Sequence, residues 1–199
     1  MLTYNQLNGV LVDLACWSFG VKVIPIPLNV TAEHASYIIG HSGISHLFIG
    51  GKNGEKIWNE IKETHTIIDI HLSESSDKNN YNMNWNCFLN ESDKVEDFDI
   101  NAHIDNINMN AVQTIMYTSG TTANPKGIVF DQVNIMSKRF ARALALPELN
   151  SKDIFLAYLP LFHTFGRYFE MLGSIFWGSS YCFAESPAFN TPVSYTHLT

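Results

Sequence analysis

The chain has 199 residues, enough for one domain or a part of a larger one. Apolar residues make up 46%, which excludes disorder throughout, and charged residues only 16%, so part of this surface is expected to be covered. Twelve Lys and Arg against 19 Asp and Glu give a net charge of −7 with no basic face in the sequence, which sets aside a nucleic-acid binder.

Leu7, Val10, Leu11, Leu14 and Ala15 fall three or four apart and predict a helix with these residues on its apolar face, stopped by Gly20. Asp13 interrupts that run and no basic segment precedes it, so it does not read as a signal peptide. Residues 21–26 are short and β-branched and predict a strand entering a Pro-containing bend. Thr31 is the expected N-cap of a helix to about Ile39, stopped by Gly40 and Gly43. Residues 44–49 predict a strand, 54–63 a helix and 66–72 another strand. Strands alternating with helices indicate an α/β chain with a parallel or mixed sheet.

Residues 73–110 are polar, turn-rich and dense in Asn, and read as a long surface excursion. Asp93, Glu96, Asp97 and Asp99 there read as a solvated acidic face and not as a metal site. Residues 111–117 and 128–130 predict strands on either side of a loop of small and hydroxyl residues. A helix follows over 132–146, ended by Pro147. Then come a strand over 154–159, a break at Pro160, a helical segment over 163–177 and a strand over 181–183. Cys16, Cys87 and Cys182 are odd in number and widely spaced, which fits a reducing cytosol better than a disulfide framework or a zinc ribbon. The longest charge-free apolar stretch, residues 171–184, is too short to span a bilayer.

The chemistry concentrates in Tyr117-Thr-Ser-Gly-Thr-Thr-Ala-Asn-Pro-Lys-Gly127. Gly120 and Gly127 permit backbone shapes that aim N–H groups at an anion. Thr118, Ser119, Thr121 and Thr122 supply hydroxyl donors, and Lys126 a mobile positive charge. A Walker A loop does not fit. Counted from Gly120, Pro125 stands where Gly is required, Gly127 stands where the magnesium-binding Ser or Thr belongs, and a strand follows in place of a helix. Composition alone leaves a second reading open, a hairpin turn with an exposed lysine.

The segment resembles the signature loop of the adenylate-forming superfamily, which comprises acyl-CoA synthetases, luciferases and nonribosomal peptide adenylation domains. That signature is approximately Tyr-Thr-Ser-Gly-Thr-Thr-Gly-x-Pro-Lys-Gly-Val, and only Ala123 and Ile128 depart from it. Leu159-Pro-Leu-Phe-His-Thr-Phe-Gly-Arg-Tyr-Phe-Glu170 resembles the superfamily's next block, an apolar strand ending in Pro with an aromatic–His pair after it. Its continuation is most similar to the long-chain fatty-acyl-CoA synthetase branch, which often carries Phe-Glu-Arg there. Gly166 departs from that pattern and Arg167 keeps it. The resemblance extends from about Gln6 to about Pro187 and weakens across the Asn-rich stretch.

The resemblance implies part of the multi-sheet N-terminal domain of the acyl-CoA synthetase-like fold, with mixed sheets flanked by helices and the whole incomplete. Residues 1–190 would be a partial AMP-binding domain, and 191–199 read as a foreign tail. The implied reaction joins a carboxylic acid, expected to be a long-chain fatty acid, to AMP and then to coenzyme A, with ATP and Mg²⁺. In it Thr118, Ser119, Gly120, Thr121, Thr122, Lys126 and Gly127 would bind the nucleotide phosphates, with Thr118 and Lys126 catalytic. Phe162 and His163 would line the acyl side, and no metal ligand is assigned. Simpler roles compete for several residues: a structural His163, a surface ion pair of Arg167 with Glu170, and core places for Tyr168, Phe169 and Phe176. The family's Tyr-Gly-x-Thr-Glu block, its ribose-binding Asp and its C-terminal catalytic Lys are absent, so the chain is expected to need the remainder of its own protein for activity. Its implied partners are small molecules, and its expected place is the cytoplasm, with peripheral membrane contact open to a long-chain enzyme. An amino- or aryl-acid adenylation domain and a non-catalytic nucleotide-binding remnant are the alternatives.

Overall fold

The structure, a computed structural model, describes residues 1–74, 80–95, 98–118 and 124–183. Strands β1 (Leu2–Thr3), β2 (His46–Gly50), β3 (Ile68–His71) and β4 (Met83–Asn84) form a sheet in that order, every pair parallel. Parallel neighbours need crossovers. Helices α1 (Leu7–Ser18) and α2 (Ala32–Ser42) supply the first, and α3 (Gly51–Ile61) supplies the second. The Thr31 hydroxyl accepts from the His34 N–H at 3.2 Å and starts α2, as its position predicts. Gly40 stays inside that helix, and Gly43 ends it at φ +62°, a conformation that favours glycine. Leu2, Ile38, Ile39, Leu47, Ile49 and Trp58 make the core between sheet and helices. The Trp58 indole keeps its one polar atom satisfied by donating to Asp69 Oδ2 at 2.6 Å.

Two expectations in this half are corrected. Residues 21–26 form no strand, only a single bridge between Val23 and Thr114. Pro25 and Pro27 remove the donors a ladder would need, and Ile26 donates instead to the Met1 carbonyl at 2.8 Å. Helix α1 also turns a different face inward. Val10, Val12 and Asp13 are buried, while Leu7 and Leu11 remain 57% and 47% exposed. The cause is Asp13, whose carboxylate is bonded inside the protein and draws its face of the helix with it.

Residues 73–110 carry structure of their own. Beyond β4, Trp85 begins α4 (Trp85–Asn90) and packs with Val12 and Leu72, and α5 (Ile100–Asp105) follows. Asp99 caps α5 by accepting from the Ala102 N–H at 3.0 Å, Asp93 lies in a 3₁₀ turn, and Glu96 and Asp97 fall outside the described residues.

The second half is built of smaller pieces. Strands β5 (Val112–Thr118) and β6 (Lys126–Asp131) form an antiparallel hairpin. Asp131 caps α6 (Gln132–Ala145), accepting from the Asn134 N–H at 2.6 Å. Strand β7 (Ile154–Leu156) pairs in parallel with β8 (Ser180–Cys182). The crossover between them is not one uniform helix as the sequence predicts. It is a wide π-helical segment, Phe165–Met171, running into α7 (Leu172–Trp177). The expected mixed α/β architecture with several sheets and flanking helices is present. All three cysteines are free, and no helix among the described residues is long and apolar enough to cross a membrane.

Candidate active site

The hydroxyl-rich loop closes the β5–β6 hairpin. Its register sets Tyr117 opposite Gly127 and Thr118 opposite Lys126, so these last two flank the mouth of the loop. Both are exposed, and Lys126 has no ion-pair partner among the described residues. Ser119, Gly120, Thr121, Thr122 and Ala123 lie outside the described residues. The chain leaves the loop as a strand, the feature that argued against a Walker loop. Gly127 sits within that strand and not at a positive φ. A Cβ there would come within 2.8 Å of Ile115 Cγ2, so close packing of the hairpin explains this glycine. Tyr117 anchors the hairpin to α2, with its hydroxyl 2.7 Å from His41 Nδ1 and Tyr37 stacked on the His41 ring. Burial first, then Tyr37, pushes the Tyr117 phenol up.

The second block bends sharply after β7. Asn5, between β1 and α1, clamps this bend with three hydrogen bonds. It donates to the carbonyls of Ala157 at 3.0 Å and Leu159 at 2.8 Å, and accepts from the Leu161 N–H at 3.0 Å. Phe162 is half-buried and His163 exposed. The His163 Nδ1 accepts from the Phe165 N–H at 3.3 Å, which fixes the ring locally. Gly166 presses on the same bend. A Cβ there would collide with the Leu159 carbonyl oxygen and lie 2.5 Å from that of Pro160.

Arg167 is buried and not on the surface. Its Nε donates to Asp13 Oδ2 at 2.7 Å, its Nη2 to Asp13 Oδ1, and its Nη1 to Thr114 Oγ1 at 2.6 Å. Thr114 in turn donates to the Val23 carbonyl at 2.5 Å. Burial works against the Arg167 cation, but Asp13 outweighs it and the guanidinium is held well charged. The competing role, a surface pair with Glu170, is not what forms. Glu170 accepts instead from the Leu159 N–H at 3.1 Å, and burial pushes its carboxyl up from 4.5 to about 7 against those backbone donors. Tyr168 and Phe169 are half-buried, Tyr168 against Phe130, whereas Phe176 is 47% exposed and not in the core.

The second block is therefore tied through Arg167 and Thr114 to β5, the strand that leads into the first. Neither Phe162 nor His163 makes a hydrogen bond or ion pair with Thr118 or Lys126. Asn5, Asp13 and Thr114 escaped the sequence reading. Asp13 left a trace, as a charge among apolar residues of a helix, while Asn5 and Thr114 left none. Among the described residues no three His, Cys, Asp or Glu side chains are grouped to hold a metal.

Comparison with known proteins bears on the family and the fold. The chain is 29% identical over 175 residues to fatty acyl-CoA synthetase A of Dictyostelium discoideum, covering 84% of this chain and 26% of that protein. It is 30% identical over 138 residues to the human long-chain-fatty-acid–CoA ligase ACSBG1, covering 67% of this chain and 19% of that one. The chain thus spans about a quarter or a fifth of these relatives. Among solved structures, the N-terminal domain of FACL13 from Mycobacterium tuberculosis superposes with a TM-score of 0.65 at 18% identity, covering 92% of this chain and 42% of that one. The o-succinylbenzoate CoA synthetase MenE of Bacillus subtilis, bound to its acyl-adenylate OSB-AMP, superposes with a TM-score of 0.59 at 22% identity, covering 92% and 42%. At such identities these structures speak for the fold alone. The model of the family described as AMP-binding enzyme matches residues 1–197, and the chain belongs to that family.

Proposed function

We propose that this AMP-binding chain forms the phosphate-binding and acyl-side part of an enzyme that activates a long-chain fatty acid. A carboxylate oxygen attacks the α-phosphorus of ATP and pyrophosphate leaves, giving the acyl-AMP. The thiol of coenzyme A then attacks the acyl carbon, AMP leaves, and the thiol proton passes to solvent. The first step brings an anion against a polyanion, so catalysis is mainly positioning and charge neutralisation. Thr118, Ser119, Gly120, Thr121 and Thr122, with Gly127 behind them, hold the β- and γ-phosphates, and the free ammonium of Lys126 closes over them. Phe162 and His163 face the acyl group. The 199 residues alone leave the reaction incomplete, because the ribose-binding and C-terminal lysine elements of such enzymes are not among them.

The observation that carries the reading is the signature match on a hairpin whose register sets Thr118 beside Lys126 at the loop mouth. The fatty-acid preference is supported by the relatives' names. In the full-length protein, Lys126→Ala should lower ATP–pyrophosphate exchange about 10- to 150-fold, equivalent to roughly 1.5–3 kcal/mol of charge-assisted bonding. An unchanged rate and ATP affinity would remove Lys126 from the mechanism. Exchange driven by palmitate, and not by benzoate or amino acids, separates the fatty-acid reading from the aryl- and amino-acid ones.

A further inference from the structure

Arg167 lies four residues beyond His163, and its amide N–H donates to the His163 carbonyl at 3.0 Å. It stands inside the wide π-helical segment Phe165–Met171, but its side chain leaves the second block altogether. The guanidinium forks onto both oxygens of Asp13 in α1, and its Nη1 donates to the Thr114 hydroxyl in β5 at 2.6 Å. All three residues are buried, Thr114 completely. Thr114 donates its own proton to the Val23 carbonyl at 2.5 Å, so the hydroxyl is held from both sides. Strand β5 is bulged where it presents that hydroxyl. Val112 stands opposite Asp131 and Thr114 opposite Phe130, which leaves Gln113 as an extra residue on β5. Such a bulge re-aims the side chains beside it. From Thr114 the strand runs four residues, about 13 Å, to Thr118 at the mouth of the signature loop.

Stability alone is a poor reason for this arrangement. A buried ion pair gains little over a well-packed apolar pair. Asp13 by itself neutralises the guanidinium, so the bond to Thr114 is not needed to cancel charge. What a planar fork with one further donor supplies is orientation, fixed across three elements at once. The wide turn points the same way, because π-helical turns are frequent at functional sites.

We propose that Arg167 is a positioning residue for the acid-activation step: through the Thr114 hydroxyl it fixes the block carrying Phe162 and His163 against the strand that carries the phosphate loop. The inference rests on the function proposed above. In that reaction a carboxylate oxygen on the acyl side must come within about 3–3.5 Å of the α-phosphorus, in line with the leaving pyrophosphate. The acid and the triphosphate are held by separate pieces of chain, and Arg167 belongs to one and bonds to the other. A misplacement of about 1 Å can cost on the order of 10²-fold in rate. Each substrate meanwhile keeps its own contacts, so the loss falls on kcat and spares KM.

The test is palmitate-driven ATP–pyrophosphate exchange in the full-length protein, read as kcat and KM per folded enzyme, with circular dichroism reporting the folded fraction. Thr114→Val removes the hydroxyl and keeps the branched shape. It is expected to lower kcat at least about tenfold while KM for ATP and for palmitate stays within about threefold. Thr114→Ser keeps the hydroxyl and should stay within about threefold of the unaltered protein in both constants. Asp13→Leu/Arg167→Met is the second variant, because an apolar pair can restore packing without restoring orientation. It should lose kcat to the same degree, and it decides the matter if Thr114→Val does not fold. An unchanged kcat in the folded enzyme, a rise in KM alone, or an equal loss in Thr114→Ser and Thr114→Val would each overturn the positioning role and leave the proposed function standing. Exchange missing from the unaltered protein would overturn that function, and this inference with it.

Discussion

In the parallel sheet and the helix α2 packed on it, Leu2, Ile38, Leu47 and Ile49 are fully withdrawn from solvent, and the one buried tryptophan of that core has its indole satisfied. In the hairpin and the β7–β8 pair, Ile128, Val129, Ile154 and Leu156 all stand exposed. These smaller pieces share an apolar cluster of their own, in which Met116, Phe130, Ile135, Leu161, Met171 and Leu172 are buried, and polar bonds tie them further. Arg167 spans α1 and β5, Asn5 holds the bend after β7, and Glu170 takes the Leu159 N–H. One region is held mainly by area removed from water, which is non-directional, and the other adds to its smaller apolar cluster directional bonds to single partners. A site that must place donors around an anion needs the second kind of support, because directional bonds fix orientation.

The comparison is sharpest at Arg167. Arg167→Ala should destabilise by about 3–5 kcal/mol, since Asp13 is then left charged and buried without a partner. Leu47→Ala should cost about 2–5 kcal/mol through the cavity it leaves. The regions differ in what repairs them. Asp13→Leu combined with Arg167→Met should recover most of the loss on urea denaturation, because an apolar pair can replace a buried ion pair. If the double variant is as unstable as Arg167→Ala, the network does more than cancel its own charges.

Smaller effects belong to the bend. Gly166→Ala should cost about 1–3 kcal/mol, because its Cβ would meet two carbonyl oxygens that belong to backbone and cannot rotate away. Gly54→Ala makes the matching test in the first region, where the Cβ would lie 2.5 Å from the Leu2 carbonyl. Asn5→Ala removes three half-buried hydrogen bonds and should cost about 1–3 kcal/mol. If Asn5→Ala has no effect on thermal stability, the bend is held by packing and the contrast between the regions fails there.

The same contrast explains what could be read from the sequence. Helix α2 was legible to its caps, because Thr31 and Gly43 act on their own neighbours. The hairpin was legible through its motif and its flanking strands. Apolar spacing misplaced the face of α1, because one ion pair to a residue 154 positions away outweighed Leu7 and Leu11. The wide turn at Phe165–Met171 was hidden for a related reason, since two of its carbonyls accept from Arg139 on another helix. Local rules reach as far as a cap or a turn, and long-range polar pairs lie beyond them.

The mildest prediction separates the regions by pH. Glu170 has its carboxyl raised from 4.5 to about 7, mainly by burial, so the folded protein prefers it protonated. Such a group contributes stability that is fully present below about pH 4.5 and is lost as pH rises through about 7. Glu170→Gln keeps an oxygen for the Leu159 N–H and cannot ionise. Its melting temperature relative to the unaltered protein should therefore climb between pH 4.5 and 7 and level off above. The penalty of Leu47→Ala, which moves no proton, should be the same at pH 5 and pH 8. A flat difference for Glu170→Gln would mean that water reaches this carboxylate, and that the bend is less enclosed than its hydrogen bonds imply.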